Sequence, residues 1–222
     1  MRPSVLLPLA AHVAVVARAY GVPCRIARDD AVAVTFDDGP HPEGTPAVLD
    51  ALDAAGAKAT FFLVGEQVER RPELAREIAA RGHAVALHGY RHRLVLRRTR
   101  RGLADDLDRA AALIAEAAGV APIFYRAPYG VFSGASLALA RQRGWTPFLW
   151  SRWGRDWERR ATEGTIARRA AGRLAGGDVV LLHDADDYSS ASSWRSTVEA
   201  LPAILEAGSS QGLSWVPLTH AT

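Results

Sequence analysis

The 222-residue chain has a single cysteine, Cys24. That excludes an intrachain disulfide and any metal site built on thiolates, and a lone cysteine reads as a small buried hydrophobe. Lysine is nearly missing, so the basic residues are almost all arginine, with a net charge of only +3 and a pI near 9.4. No nucleic-acid-binding motif accompanies that charge, and no nucleic acid is expected as a partner. The one dense basic run, Arg91 to Arg101, could touch an anionic polymer but reads first as a solvated loop and helix start. Linkers, repeats and low-complexity stretches are absent. A long apolar run is absent too: residues 5–17 are apolar, yet too short for an ordinary membrane span and interrupted by Pro8 and His12. With Arg2 before it and Ala17-Arg18-Ala19 after it, this stretch imitates a signal peptide. The rival is an N-terminal helix packed on the domain and ended by Gly21-Val22-Pro23. Export, or membrane association through residues 1–20, is preferred by a small margin. The chain is thus divided into an apolar segment 1–22 and a domain 23–222 outside the cytoplasm or in the cell envelope. A monomer is expected.

What is present is ordinary globular composition, 49% hydrophobic and 23% charged, organised around Thr35-Phe36-Asp37-Asp38-Gly39-Pro40. The run Ala31-Val32-Ala33-Val34 before it reads as a buried strand, and Gly39-Pro40 stops that strand. Two adjacent carboxylates therefore stand where a core strand leaves the protein. A plain turn explains the hexapeptide equally well. Downstream, apolar strands alternate with amphipathic helices. Strands are expected at 59–64, 83–87, 123–126, 146–150, 179–182 and 213–216. Helices are expected from Thr45, Pro72, about Leu103, Leu137, Thr162 and Thr197, the last kinked at Pro202. About seven such alternations imply parallel strands joined by right-handed crossovers. A nearly closed barrel and an open doubly wound sheet both fit, and both place function at the C-terminal strand ends.

Those ends carry polar groups that are costly to bury alone. They are Asp37 and Asp38, then His88-Gly89-Tyr90-Arg91-His92, then Arg126-Ala127-Pro128-Tyr129, then Trp150 to Trp157, and finally His183-Asp184. One shared site explains them together. Two imidazoles four apart plus one carboxylate make three protein ligands, the number a catalytic zinc site uses. The other Asp can then serve as base and His183 as acid.

With these motifs in order, the sequence resembles the NodB-type polysaccharide deacetylases, carbohydrate esterase family 4, over nearly all of residues 31–218. The resemblance implies a single-domain α/β fold, a distorted or incomplete (β/α)7 barrel with parallel strands. It also implies a divalent metal, zinc first with Co2+ or Ni2+ as alternatives, and hydrolysis of N- or O-acetyl groups on a glycan. Asp37 matches the catalytic base; Asp38, His88 and His92 match the metal ligands; Arg126 matches the arginine that orients the base. The Tyr129 N–H matches an oxyanion donor, and Asp156 and His183 match the carboxylate-paired acid. Two positions depart from the pattern. Gly89 stands where Ser or Thr is usual, and Trp153 stands at the first Asp of the Asp-x-x-Asp-Trp motif, whose second Asp and Trp remain as Asp156 and Trp157. Trp153 is expected to line the site. Trp150 and Trp157 are expected in the core, although the matching motif also makes Trp157 a substrate-side candidate. Asp184, Asp186 and Asp187 are expected in a solvated turn. The competing readings are an amidase of the same superfamily acting on a small non-sugar amide, and a glycan-binding protein without catalysis.

Overall fold

A computed structural model describes residues 20–219, and the apolar N-terminal stretch falls outside them apart from Tyr20 to Val22. Eight strands form one sheet: β1 (Ala31–Asp37), β2 (Ala59–Leu63), β3 (Ala84–Leu87), β4 (Phe124–Tyr125), β5 (Thr146–Pro147), β6 (Arg152–Trp153), β7 (Val179–His183) and β8 (Ser214–Trp215). Seven run parallel in the order β5-β4-β3-β2-β1-β7-β6, and β8 adds in parallel to the start of β1. Helices cross between them: α1 (Gly44–Ala54), α2 (Gly65–Arg70), α3 (Pro72–Ala80), α4 (Arg100–Ala118), α5 (Gly134–Arg143), α6 (Glu163–Ala171) and α7 (Ser193–Ser209). The sheet curls into an incomplete barrel whose end strands, β5 and β6, are not hydrogen-bonded to each other. This is the expected (β/α)7 architecture. No helix of the described residues is long and apolar enough to cross a membrane.

Period-2 alternation along β1 explains why the sheet has two packed faces. Val32, Val34 and Phe36 join the larger core under the helices, where Phe36 stacks on Phe61 at 5.1 Å. Ala31 and Ala33 point the other way, into a smaller cluster inside the curl with Phe62, Ala86, Phe124, Phe148 and Val179. The small side chains of β1 leave room there for the three phenylalanine rings. Thr35 and Asp37 continue that inner row toward the C-terminal end.

Helix starts follow local chemistry. Thr99 caps α4 by accepting the Gly102 N–H, and the pairs Ser133/Ser136 and Thr162/Thr165 form capping boxes on α5 and α6. Cys24 is buried in the core, as its isolation in the sequence implies. Three elements differ from expectation. α2 has no counterpart among the expected helices, because Gly65-Glu66-Gln67 carries no apolar period and Pro72 draws the helix start to itself. The strand expected at 146–150 ends at Pro147, and pairing resumes on the opposite edge as β6. Helix α7 begins at Ser193, one turn before Thr197, and continues through Pro202.

Candidate active site

In the β1–β7 register Asp37 stands directly opposite His183, so both side chains leave the inner face at one level. The next residue of a regular strand would point away. Asp38 does not, because its φ is +82°, a left-handed turn that brings the second carboxylate back to the same cleft. A non-glycine residue in that region is a strained position of the kind found at functional sites.

Arg126, fully buried, fixes Asp37. Its Nη1 donates to Asp37 Oδ1 at 2.6 Å and to Thr35 Oγ1 at 2.9 Å. Its Nη2 and Nε donate to the Leu149 and Phe148 carbonyls at 2.9 and 3.2 Å. Removing this guanidinium would leave a carboxylate buried without a counter-charge, at a cost of about 3–5 kcal/mol. Burial raises the Asp37 carboxyl above the ordinary range, against the opposing charge of Arg126. Asp37 Oδ2 faces the cleft, 3.8 Å from His88 Nε2.

Beside it, Asp38 Oδ1 lies 3.5 Å from His88 Nε2 and 3.3 Å from His92 Nε2. This oxygen is buried without a hydrogen-bond partner. His88 Nδ1 is 2.8 Å from the Arg126 carbonyl, which keeps the proton on Nδ1 and turns the Nε2 lone pair to the site. Burial drives both imidazoles down to about 3, so both are neutral ligands at physiological pH. Burial, opposed by the charge of His183 and reinforced by the neighbouring carboxylates, pushes Asp38 up to about 7. An orphaned carboxylate oxygen between two neutral imidazoles fits a divalent cation by donor type and number. His92 is held between two rings, Tyr129 and Tyr188, each 4.5 Å away.

Across the cleft His183 Nδ1 is 2.9 Å from Asp156 Oδ1, while Asp156 Oδ2 accepts the His183 N–H and the Thr197 hydroxyl. Burial alone would lower this imidazole. The charge and hydrogen bond of Asp156, with Asp38 and Asp37 behind them, overcome that and push it up to about 10. His183 is thus protonated at neutral pH.

The cleft, about 390 Å³, is lined by Asp37, Asp38, His88, His92, Tyr129, Trp153, Trp157 and His183. Arg126 and Asp156 sit behind them. Tyr129 occupies a turn at φ +62°, another left-handed non-glycine position. One wall is a continuous series of rings, Trp150–Trp153 at 5.8 Å, Trp153–Trp157 at 5.5 Å and Trp157–His183 at 5.3 Å. Trp150 packs on the core as expected but also lines the cleft, and Trp157 lines the cleft without joining either core cluster. Their places follow from the break at Pro147 and the new strand β6.

Other side chains were missed or misread. Tyr188, in the turn after β7, lines the cleft, its hydroxyl donating to Glu66 and accepting from Gln67 of the unexpected α2. Only its position after a C-terminal strand end could have flagged it. Asp184 is fully buried rather than solvated. It accepts a hydrogen bond from Thr45, and a Cβ on Gly39 would overlap its carboxylate. It therefore packs the turn that follows Asp38 against the end of β7. Asp186 and His41 pair at 3.2 Å. His41 Nδ1 accepts the Gly44 N–H, so Nε2 carries the proton and this pair is a hydrogen-bonded turn.

Comparison with known proteins gives a consistent match. The family model described as polysaccharide deacetylase matches residues 25–148. A peptidoglycan-N-acetylglucosamine deacetylase of Bacillus cereus is 34% identical over 192 residues, 85% of this chain and 86% of the relative. A chitooligosaccharide deacetylase of Bradyrhizobium is 36% identical over 194 residues, 84% of this chain and 88% of the relative. The crystal structure of a peptidoglycan N-acetylglucosamine deacetylase bound to a hydroxamate superposes with a TM-score of 0.82 at 30% identity, covering 89% of this chain and 90% of the other. A family 4 carbohydrate esterase from Streptomyces lividans, in complex with acetate, gives 0.77 at 29% identity over 87% and 95% of the two chains.

Proposed function

Because the chain belongs to the polysaccharide deacetylase family, we propose that its cleft hydrolyses N-acetyl groups on a glycan of the peptidoglycan or chitin-oligosaccharide class with the help of a divalent metal. The observation that supports this reading is the pair of buried, separately held groups facing each other across the cleft. Asp37 is clamped by Arg126, and His183 is held protonated by Asp156. One is poised to take a proton and the other to give one.

In this reading Asp38, His88 and His92 hold the cation, which supplies a Lewis acid for the acetyl carbonyl and acidity for the attacking water. Asp37 Oδ2 takes the water's proton as the water oxygen bonds to the carbonyl carbon. Arg126 keeps Asp37 aimed and ionised in a site whose burial works against its charge. The Tyr129 N–H stabilises the negative oxygen that develops. His183 Nε2 then protonates the glucosamine nitrogen as the carbon–nitrogen bond breaks, leaving a free amine on the sugar and acetate. Asp156 holds the resulting imidazole in place. The tryptophan wall excludes water beside the reacting group and offers faces on which a sugar ring can stack.

Paired variants at the adjacent carboxylates test the assignment. Asp37→Asn is expected to keep its metal and lose roughly 10²–10⁴-fold in kcat with little change in KM, as for a general base. Asp38→Asn is expected to bind metal weakly and regain only part of its turnover in excess metal. Metal analysis and kcat under one set of conditions decide it. A metal-free Asp37→Asn beside a metal-loaded Asp38→Asn would reverse the roles. Both variants within a few-fold of wild type would remove the reading altogether.

A further inference from the structure

We propose that the arginine-rich rim Arg91–Arg101 is a docking surface for a glycan that carries fixed negative charge, carboxylate or phosphate, so that the acetylated polymer is held outside the cleft while one sugar is processed inside it. This rests on the deacetylase reading and narrows its substrate class.

Six arginines stand in these eleven positions with no acidic residue among them. Arg98 alone has an ionic partner, Asp106 at 3.3 Å. Arg91, Arg93, Arg97, Arg100 and Arg101 are exposed, and none has an ion pair among the described residues. Elsewhere some exposed arginines are matched within the chain, as in Arg109–Glu69, Arg143–Asp108 and Arg195–Glu43, and others, such as Arg76 and Arg173, stand singly. The rim differs in gathering five unpaired arginines within eleven positions. The rim's charge is thus left for something outside the protein. Nor does the fold ask for it: Arg100 and Arg101 open α4 at the positive end of its dipole, with no acid in the first turn. Cations are unfavourable there.

Placement links the rim to the reaction. Arg91 and Arg93 border a shallow hollow with Gly89 and Pro128. Gly89 and Pro128 are the chain neighbours of His88 and Tyr129, which line the cleft. A polymer leaving the cleft past His92 and Tyr129 crosses these guanidinium groups. Their planar donor forks match carboxylate and phosphate oxygens two at a time. A lipid surface is the competing occupant, because Leu96 is exposed in the same loop. One half-exposed leucine adds little apolar area to hold a protein on a bilayer, whereas the neighbouring cleft already receives a polymer.

The test compares two acetylated hexasaccharides, a neutral chitin oligomer and a peptide-free strand with a lactyl carboxylate on alternate sugars. Acetate release is measured with the metal-loaded full chain at 0.01 M and 0.15 M ionic strength, in wild type and in the triple variant Arg97→Gln, Arg100→Gln, Arg101→Gln. The wild-type KM for the charged strand is expected to rise about tenfold with salt, while the neutral oligomer is unaffected. The triple variant is expected to lose that salt dependence with kcat unchanged on both. If the variant does not fold, the wild-type salt titration carries the test by itself. A wild-type enzyme that cleaves both strands with equal, salt-insensitive KM overturns the docking proposal and leaves the deacetylase reading intact. No acetate from either strand overturns the deacetylase reading instead, and the docking proposal with it. Salt-insensitive kinetics with patch-dependent sedimentation on phosphatidylglycerol vesicles would assign the rim to a lipid surface and overturn the glycan.

Discussion

Asp37 and His183 are neighbours in the sheet, yet the proposed function gives them opposite tasks, and what lies behind each differs accordingly. Behind Asp37 is a buried cation, Arg126; behind His183 is a buried anion, Asp156. The consequence is readable in the pH profile. A histidine must be protonated to act as the acid, and His183 is pushed up to about 10, so its protonated form persists through neutral pH. The same shift makes the His183–Asp156 pair stabilising below the ordinary histidine range. That stability is lost as pH rises through about 10. Asp156→Asn removes the charge and leaves burial to lower the imidazole. The alkaline limb of kcat/KM is therefore expected to move to lower pH, with reduced turnover at neutrality. Identical alkaline limbs in wild type and variant, at saturating metal, would show that His183 is not the acid. Gly89 is a smaller matter than its departure from the family pattern implies. Its φ is +89°, and the Tyr90 N–H beside it is satisfied by Asp106 at 2.8 Å. The loop needs a left-handed residue there, which serine and threonine adopt only under strain.

At the scale of elements, the end of β7 and the start of α1 are joined through Asp184. Its carboxylate takes the Thr45 hydroxyl, and Thr45 in turn accepts the His41 N–H, so the loop between Asp38 and α1 is tied down from within. Asp184→Ala would leave Thr45 and the loop without this partner in a fully buried site. A loss of about 1–3 kcal/mol is expected, seen as a lower Tm in thermal unfolding, with Asp184→Asn milder. A Tm equal to wild type would return Asp184 to the solvated turn that the sequence alone implies. That misreading shows where sequence reasoning stops. Asp184-Ala185-Asp186-Asp187 has turn composition, and nothing local reveals that Gly39 and Gly44 make room for the first of them. By contrast, most of the order of strands and helices was legible, because β1 to β4 are short apolar runs with Gly or Pro close behind them and β7 is a wholly apolar run ahead of its histidine. The candidate ligands and proton-transfer groups were legible as well, because each stands at a strand end. Tyr188 and the cleft-facing side of Trp150 were not. Their positions depend on α2 and on the break after Pro147, and neither leaves a periodic signal.

For the molecule as a whole, curling the sheet puts strand ends that are remote in sequence around one opening. The adjacent strands β1 and β7 carry the proposed acid–base pair at their C-terminal ends, and the imidazoles follow β3. β6, on one edge, brings the tryptophan wall. The fold supplies the frame, and in the proposed function the chemistry depends on a cation held by Asp38, His88 and His92. The most direct measurement is acetate release from an N-acetylglucosamine oligomer by one protein sample taken through three states: as purified, after chelation with metal content verified, and after readdition of zinc. A metal-dependent site predicts acetate in the first state, none in the second, and recovery in the third together with a higher Tm, since a ligand that binds only the folded chain stabilises it. Undiminished acetate release from protein shown to be metal-free would contradict it.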